Sequence, residues 1–187
     1  MIGPSFQAVL RNAKRGDEQA FGVLYRDLQP RVLRYLRVLA AGAAEDLAAD
    51  TWLQVVRRLG CFRGEELAFR AWVCLIARHR AIDWRRQAAR RQTEPVAPDA
   101  LPTQLAPDDP AATALEGFST QAAIALLSTL PADQAEVIML RVVAGLDVNR
   151  VAQLMGKHPT TVRVLAHRGL RRLAARLGAD ARIGGML

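Results

Sequence analysis

Thr160, Thr161, Arg163, His167, Arg168, Arg171 and Arg172 fall within thirteen residues near the C-terminus, and their types suit one kind of chemistry. Guanidinium forks donate two parallel hydrogen bonds to phosphate oxygens or to a guanine edge. Threonine hydroxyls suit phosphates, and threonine methyls suit the methyl group of thymine. None of these groups sits beside a carboxylate or thiol in a pattern that would support acid–base or nucleophilic catalysis.

The elements that must carry them are legible around a glycine. Val148, Val151, Ala152 and Leu154 give a short apolar face that stops at Gly156, a residue free to take the left-handed turn. Pro159 suits the first turn of a new helix, where a missing N–H costs nothing. Beyond it Val162, Leu165 or Ala166, Leu170 and Leu173 recur at helical spacing and predict the inward side. Two short helices around a tight turn, the second apolar behind and basic in front, have the layout of a DNA-reading helix-turn-helix. The plainer alternative is a solvated basic face on an ordinary helical hairpin.

A second candidate is the segment 69–91. Phe69, Trp72, Val73, Ile76 and Ala77 share a stripe that continues into Arg80, Asp83 and Trp84, with Arg78, Arg85, Arg86, Arg90 and Arg91 around it. Rings that stack on bases, next to guanidinium groups that pair with phosphates, suit single-stranded nucleic acid. Equally, Phe69 and Trp72 are ordinary core residues if the arginines only solvate the surface.

Charge distribution agrees with two nucleic-acid-facing modules. The 187 residues carry a net charge of +8. Residues 1–94 have a balance of +7, residues 95–118 of −4, and residues 119–187 of +5. Lys14 and Lys157 are the only lysines, so the positive charge is almost all arginine. Cys61 and Cys74 are too few and wrongly spaced for a zinc site, and His79, His158 and His167 are scattered. No metal site, cofactor site or catalytic constellation is expected, and the chain reads as a non-enzyme. With no signal-peptide pattern and no long apolar run, it reads as cytoplasmic and not inserted in a membrane.

Apolar periodicity of the helical kind, with almost no alternation, predicts an all-α protein. Helices are expected over 6–14, 17–28, a segment after Pro30, 44–59, 69–91, 115–129 and 135–143. Leu47, Thr51 and Val55 define the inner face of the fourth, with Leu53, Val56 and Leu59 beside them. Five prolines among acids and small residues in 93–111 predict an extended linker. The expected division is 1–92, a linker at 93–112, a helix-turn-helix unit at 113–178 and a frayed tail at 179–187: two small helical domains joined by a flexible linker.

The order of motifs adds a further reading. Ala44-Glu45-Asp46-Leu47 opens a helix, Phe62-Arg63-Gly64 follows, then Phe69-Arg70-Ala71-Trp72 running to Ile76-Ala77 and Ala81-Ile82-Asp83. After the linker come Leu127 to Gln134 and Gly145-Leu146 before the helix-turn-helix. This pattern closely resembles the extracytoplasmic-function sigma factors of bacterial RNA polymerase. The resemblance implies a chain that brings the core polymerase to promoter DNA and is held by an anti-sigma factor. It implies that Asp46, Asp50 and Gln54, on one helix face, meet the clamp of the polymerase largest subunit. Phe62, Arg63, Phe69, Trp72, His79, Arg80, Arg85 and Arg86 would serve the melted minus-ten element, with residues 62–68 and His79 forming a pocket for an extruded base. The last domain would sit on the flap of the second-largest subunit. Its Lys157, Thr160, Thr161, Arg163, Val164, His167, Arg168 and Arg171 would serve the minus-thirty-five element.

Two departures bear on local structure. Arg150 stands where a glutamate usually completes the capping box after Asp147, and His158 replaces the usual serine cap. The rival reading is a stand-alone helix-turn-helix regulator with an N-terminal sensor domain; a third is a pure protein-interaction module. Residues 62–83 discriminate, because a sensor has no need of aromatics and arginines in that arrangement.

Overall fold

The computed structural model describes residues 2–93 and 114–184, with side chains at 2–90 and 120–177. The described residues form eight α-helices and no strand: α1 (Phe6–Lys14), α2 (Glu18–Leu39), α3 (Ala44–Arg58), α4 (Glu66–Thr93), α5 (Ala114–Ser128), α6 (Ala132–Ile138), α7 (Val148–Met155) and α8 (Pro159–Gly184). The expected linker at 93–112 lies outside the described residues except for Thr93, the last residue of α4. Helix α8 continues to Gly184, through most of the stretch expected to fray.

Pro30 does not end a helix. Helix α2 runs through it, so the expected break is corrected. A proline inside a helix costs about 3 kcal/mol or more through its missing N–H and its clash with the preceding turn. Here Pro30 is exposed, which lets water reach the freed carbonyl. Leu24, Leu28, Val32, Tyr35 and Leu36 keep one buried stripe in phase on both sides of it. Burial of that stripe, at about 1.5–3 kcal/mol for each large side chain, exceeds the local penalty.

Helix α2 is central. It packs against α1, α3 and α4 of the first half of the chain, and against α5, α6 and the turn after α6 of the second. The two halves of the chain therefore share one apolar core, from Phe6 to Val162. That turn, Met139–Val143, is a π-helical continuation of α6. At its end the Val143 carbonyl accepts from Arg31 Nη1 at 2.9 Å. Glu136 of α6 is buried and accepts from Tyr35 and Arg78 of the first half. Arg78, expected among the surface cations, is thus an internal tie.

The helix-turn-helix forms as its residues predict. Asp147 Oδ1 accepts from the Arg150 N–H at 2.9 Å, and Asp147 Oδ2 lies 3.2 Å from Arg150 Nε. Arg150 thus supports the cap by pairing with it, in place of a capping-box glutamate. Its backbone N–H, more than any other group, holds the Asp147 carboxyl below the usual range. Gly156 closes α7 at φ +63°. His158 does the work of the missing serine: its Nδ1 lies 3.3 Å from the Thr160 N–H at the start of α8.

The inward stripe of α8 differs from expectation at one turn. Leu170 is exposed, and Gly169 is buried in its place. A Cβ at Gly169 would lie 2.7 Å from Ile138 Cδ1 and 3.3 Å from Gln134 Cβ, so a side chain there requires α6 side chains to give way. The inward stripe is the buried Val162 and Gly169 with the half-buried Leu165, Ala166 and Leu173, and Leu173 packs on Leu130, Ala135 and Ile138.

Candidate nucleic-acid interface

Helix α8 presents Thr160, Thr161, Arg163, Val164, His167, Arg168 and Arg171 to solvent, all exposed. Behind them Val162 is 1% exposed, so packing fixes which way the polar residues face. Lys157, in the turn, is half-buried and its Nζ lies 3.0 Å from Asp133 Oδ2. Arg172 leans back to donate to Gln134 Oε1 at 3.1 Å. The free face is therefore narrower than the charge pattern implied. A shallow hollow between α7 and the start of α8 is lined by Asn149, Gln153, Lys157 and His158.

The first half builds its face around an aromatic cluster. Phe62 stacks on Trp72 with ring centroids 5.0 Å apart and planes 29° from parallel. Phe69 lies against Phe6, Phe62 and Trp72 at 5.3–5.8 Å. Phe69 is 1% exposed, so it cannot meet a base, and its expected place in the interface is corrected. Phe62 is buried as well; both rings anchor the loop from beneath, since the cluster excludes water from their faces. Trp72 is half-buried, and Arg63, His79, Arg85 and Arg86 are exposed. Arg80 is half-buried, with its Nε enclosed and without a hydrogen-bond partner. Asp83 leaves the stripe for solvent, whereas Trp84 packs on the core.

Between α3 and α4 the loop over residues 62–65 takes a shape that requires glycine. Gly64 has φ +146°, and a Cβ there would lie 3.0 Å from Ala68 Cβ and 3.1 Å from Phe62 Cζ. Arg63 Nη1 donates to the carbonyls of Gly60 at 2.7 Å and Phe62 at 2.9 Å. Below the loop Arg70, 3% exposed, pairs with Glu66 at 2.5 Å and Asp27 at 3.3 Å. Nothing in the local sequence distinguishes Arg70 from the neighbouring arginines, and the buried network went unforeseen.

Asp46 and Asp50 are exposed on α3, and Gln54 is half-buried. Leu53 and Val56, expected beside the inner face, are 54% and 55% exposed. They stand in water on the same helix as the exposed Asp46 and Asp50. Part of the signal was present in the helix register: residue 53 lies nearly opposite Val55, two positions away at about 100° each.

Residues 24–91 match the family model described as Sigma-70 region 2, and residues 120–173 match the one described as Sigma-70, region 4. The chain belongs to the sigma-70 family. Among its relatives is the ECF RNA polymerase sigma factor SigD of Mycobacterium tuberculosis, 34% identical over 180 residues that cover 92% of this chain and 84% of SigD. The ECF RNA polymerase sigma factor BldN of Streptomyces coelicolor is 33% identical over 176 residues, covering 93% of this chain and 66% of BldN. The fold is similar to that of the sigma factor RpoE from Bartonella quintana, solved in complex with the anti-sigma factor NepR. That match has a TM-score of 0.64 and 24% identity, and covers 86% of this chain and 98% of RpoE. This sigma factor is thus of the extracytoplasmic-function type, a transcription-initiation subunit with DNA-facing regions 2 and 4. The region 2 match over 24–91 decides against a sensor domain at the N-terminus. Among the described residues of the sigma factor, no helix is long and apolar enough to cross a membrane.

Proposed function

We propose that this sigma factor contacts core polymerase through α3 and reads its promoters with two separate faces. Asp46, Asp50 and Gln54, with the exposed Leu53 and Val56, meet the clamp of the largest subunit. The unit containing α5–α8 sits on the flap of the second-largest subunit. Arg63, Trp72, His79, Arg80, Arg85 and Arg86 handle the melted minus-ten element, while Phe62 and Phe69 hold the loop beneath it. Thr160, Thr161, Arg163, Val164, His167, Arg168 and Arg171 read the minus-thirty-five element, and Lys157 steadies the turn through Asp133. Residues 1–92 and 113–178 act as the two working units. The factor supplies no catalytic residue, needs no cofactor, and works in the cytoplasm, where an anti-sigma factor holds it inactive.

One observation carries this reading: an exposed Arg/Thr/His face on α8 backed by a buried stripe, in the same chain as an aromatic-anchored, arginine-bearing loop. Run-off transcription with core polymerase, with and without this chain, on the promoter of its own operon tests it. Promoter-specific transcripts that require the chain are expected; equal transcription without it overturns the proposal.

A further inference from the structure

The loop that carries Arg63 is held in part from outside region 2. Lys14, the last residue of α1, donates from Nζ to the Phe62 carbonyl at 2.5 Å. Gln7 Nε2, two turns earlier on α1, donates to the Gly64 carbonyl at 3.1 Å. The N–H groups of Ile2 and Gly3 donate to the Glu66 carboxylate at 3.1 and 2.9 Å. Phe6 packs on Phe69. The first fourteen residues thus touch the loop at 62 and 64 and the start of α4 at Glu66, and all of them precede the matched segment 24–91.

Lys14 and Arg63 share one acceptor. Arg63 Nη1 also donates to the Phe62 carbonyl, so two cations converge on a single oxygen. Partial burial, with the Arg63 charge adding to it, holds the Lys14 ammonium below its usual range. The repulsion is mutual, and Arg63 is the more exposed partner. When Arg63 leaves, Lys14 keeps the Phe62 carbonyl satisfied, so its departure orphans no acceptor there.

We infer that Lys14 is a positioning residue for reading the melted element: it fixes the 62–65 loop through the Phe62 carbonyl, so that Arg63 can leave that carbonyl for the nucleic-acid strand without the loop losing its tie. This rests on the proposed role of the loop in reading the melted element. Without Lys14 the loop loses a tie, and Arg63 becomes the sole side-chain partner of that carbonyl, which its departure would then orphan.

The test uses holoenzyme with the full chain, on promoter templates mismatched across the minus-ten region and carrying each of the four bases in turn on the non-template strand. Lys14→Met should reduce discrimination between the best and worst base by about fivefold or more, the low end of what one good base contact supplies. Lys14→Arg should restore it. Affinity for core polymerase and for the upstream duplex element should stay at the level of the parent chain, a split that a general loss of folding would not give. Arg63→Ala separates the two ideas. If Arg63→Ala loses discrimination while Lys14→Met keeps it, the role of Lys14 is overturned and the loop reading stands. If neither variant changes discrimination, both are overturned.

Discussion

Tyr35 donates its hydroxyl to Glu136 Oε1 at 2.8 Å across 101 residues of sequence. Arg78 Nε donates to the same oxygen at 2.7 Å. The carboxylate belongs to α6 and both donors to the first half, so a buried polar clasp joins the two parts of the chain. Removing the acceptor leaves a guanidinium and a hydroxyl enclosed together, and breaking a buried pair costs about 3–5 kcal/mol. Glu136→Ala should therefore lower the urea midpoint substantially, whereas Tyr35→Phe should cost only about 1 kcal/mol because Arg78 remains. Equal midpoints for Glu136→Ala and the parent would show that the clasp contributes nothing.

The same phenol gives an alkaline signature. Burial, reinforced by the Glu136 charge and hydrogen bond, pushes the Tyr35 hydroxyl well above its usual value. Its folded pKa is raised, so its contribution is complete below the unfolded value of about 10. That contribution falls as pH rises beyond it. Stability measured from pH 8 upward should decline above about pH 10, and Tyr35→Phe should flatten part of that limb. An identical limb in both proteins would place its origin elsewhere.

Gly169→Ala tests the contact between α6 and α8. In an exposed helix interior this change stabilises by about 1 kcal/mol. Here the added methyl meets Ile138 Cδ1 at 2.7 Å and Gln134 Cβ, close to the α6 backbone, at 3.3 Å, and overpacking costs about 1–3 kcal/mol. The variant should be destabilised, and Ile138→Val should recover part of the loss in the double variant. A more stable single variant would show that the helices can separate without cost.

On α3, charge reversal of both Asp46 and Asp50 should weaken binding to core polymerase while leaving circular dichroism unchanged, since both are exposed. Leu53→Ser with Val56→Ser should act in the same direction. Unaltered affinity in a pull-down for both pairs would move the polymerase contact off this helix.

Arg163→Ala should change the preferred upstream sequence, because a bidentate arginine–guanine contact is worth about 1–3 kcal/mol of discrimination. Arg176→Ala, one exposed residue farther along α8, should lower affinity for all sequences alike. Uniform weakening by Arg163→Ala would reassign that residue to phosphate.

The two cysteines should separate by reactivity. Cys61 is exposed and Cys74 buried, and burial pushes the Cys74 thiol up to about 12. Iodoacetamide at pH 8 should label Cys61 alone in the folded chain and both in urea. Labelling of Cys74 at the same rate as Cys61 would contradict the packing around it.

The sequence alone determined what depends on local chemistry. Asp147, Gly156 and Pro159 mark helix ends whatever lies around them, because a cap, a left-handed turn and a missing N–H act within one turn of backbone. Residue order from Phe62 to Asp83 carried the family, and the Thr160–Arg171 face followed from period and charge. Only the tertiary structure decided the fate of groups whose partners are distant in sequence. Pro30 reads as a stop until the stripe from Leu24 to Leu36 is seen buried on both sides of it. Arg70 and Arg78 look like the neighbouring arginines until Glu66, Asp27 and Glu136 close on them. Leu170 reads as core until Gly169, with no side chain at all, proves to be where the helices meet. Periodicity records which residues share a face, whereas burial depends on what the rest of the chain brings against that face.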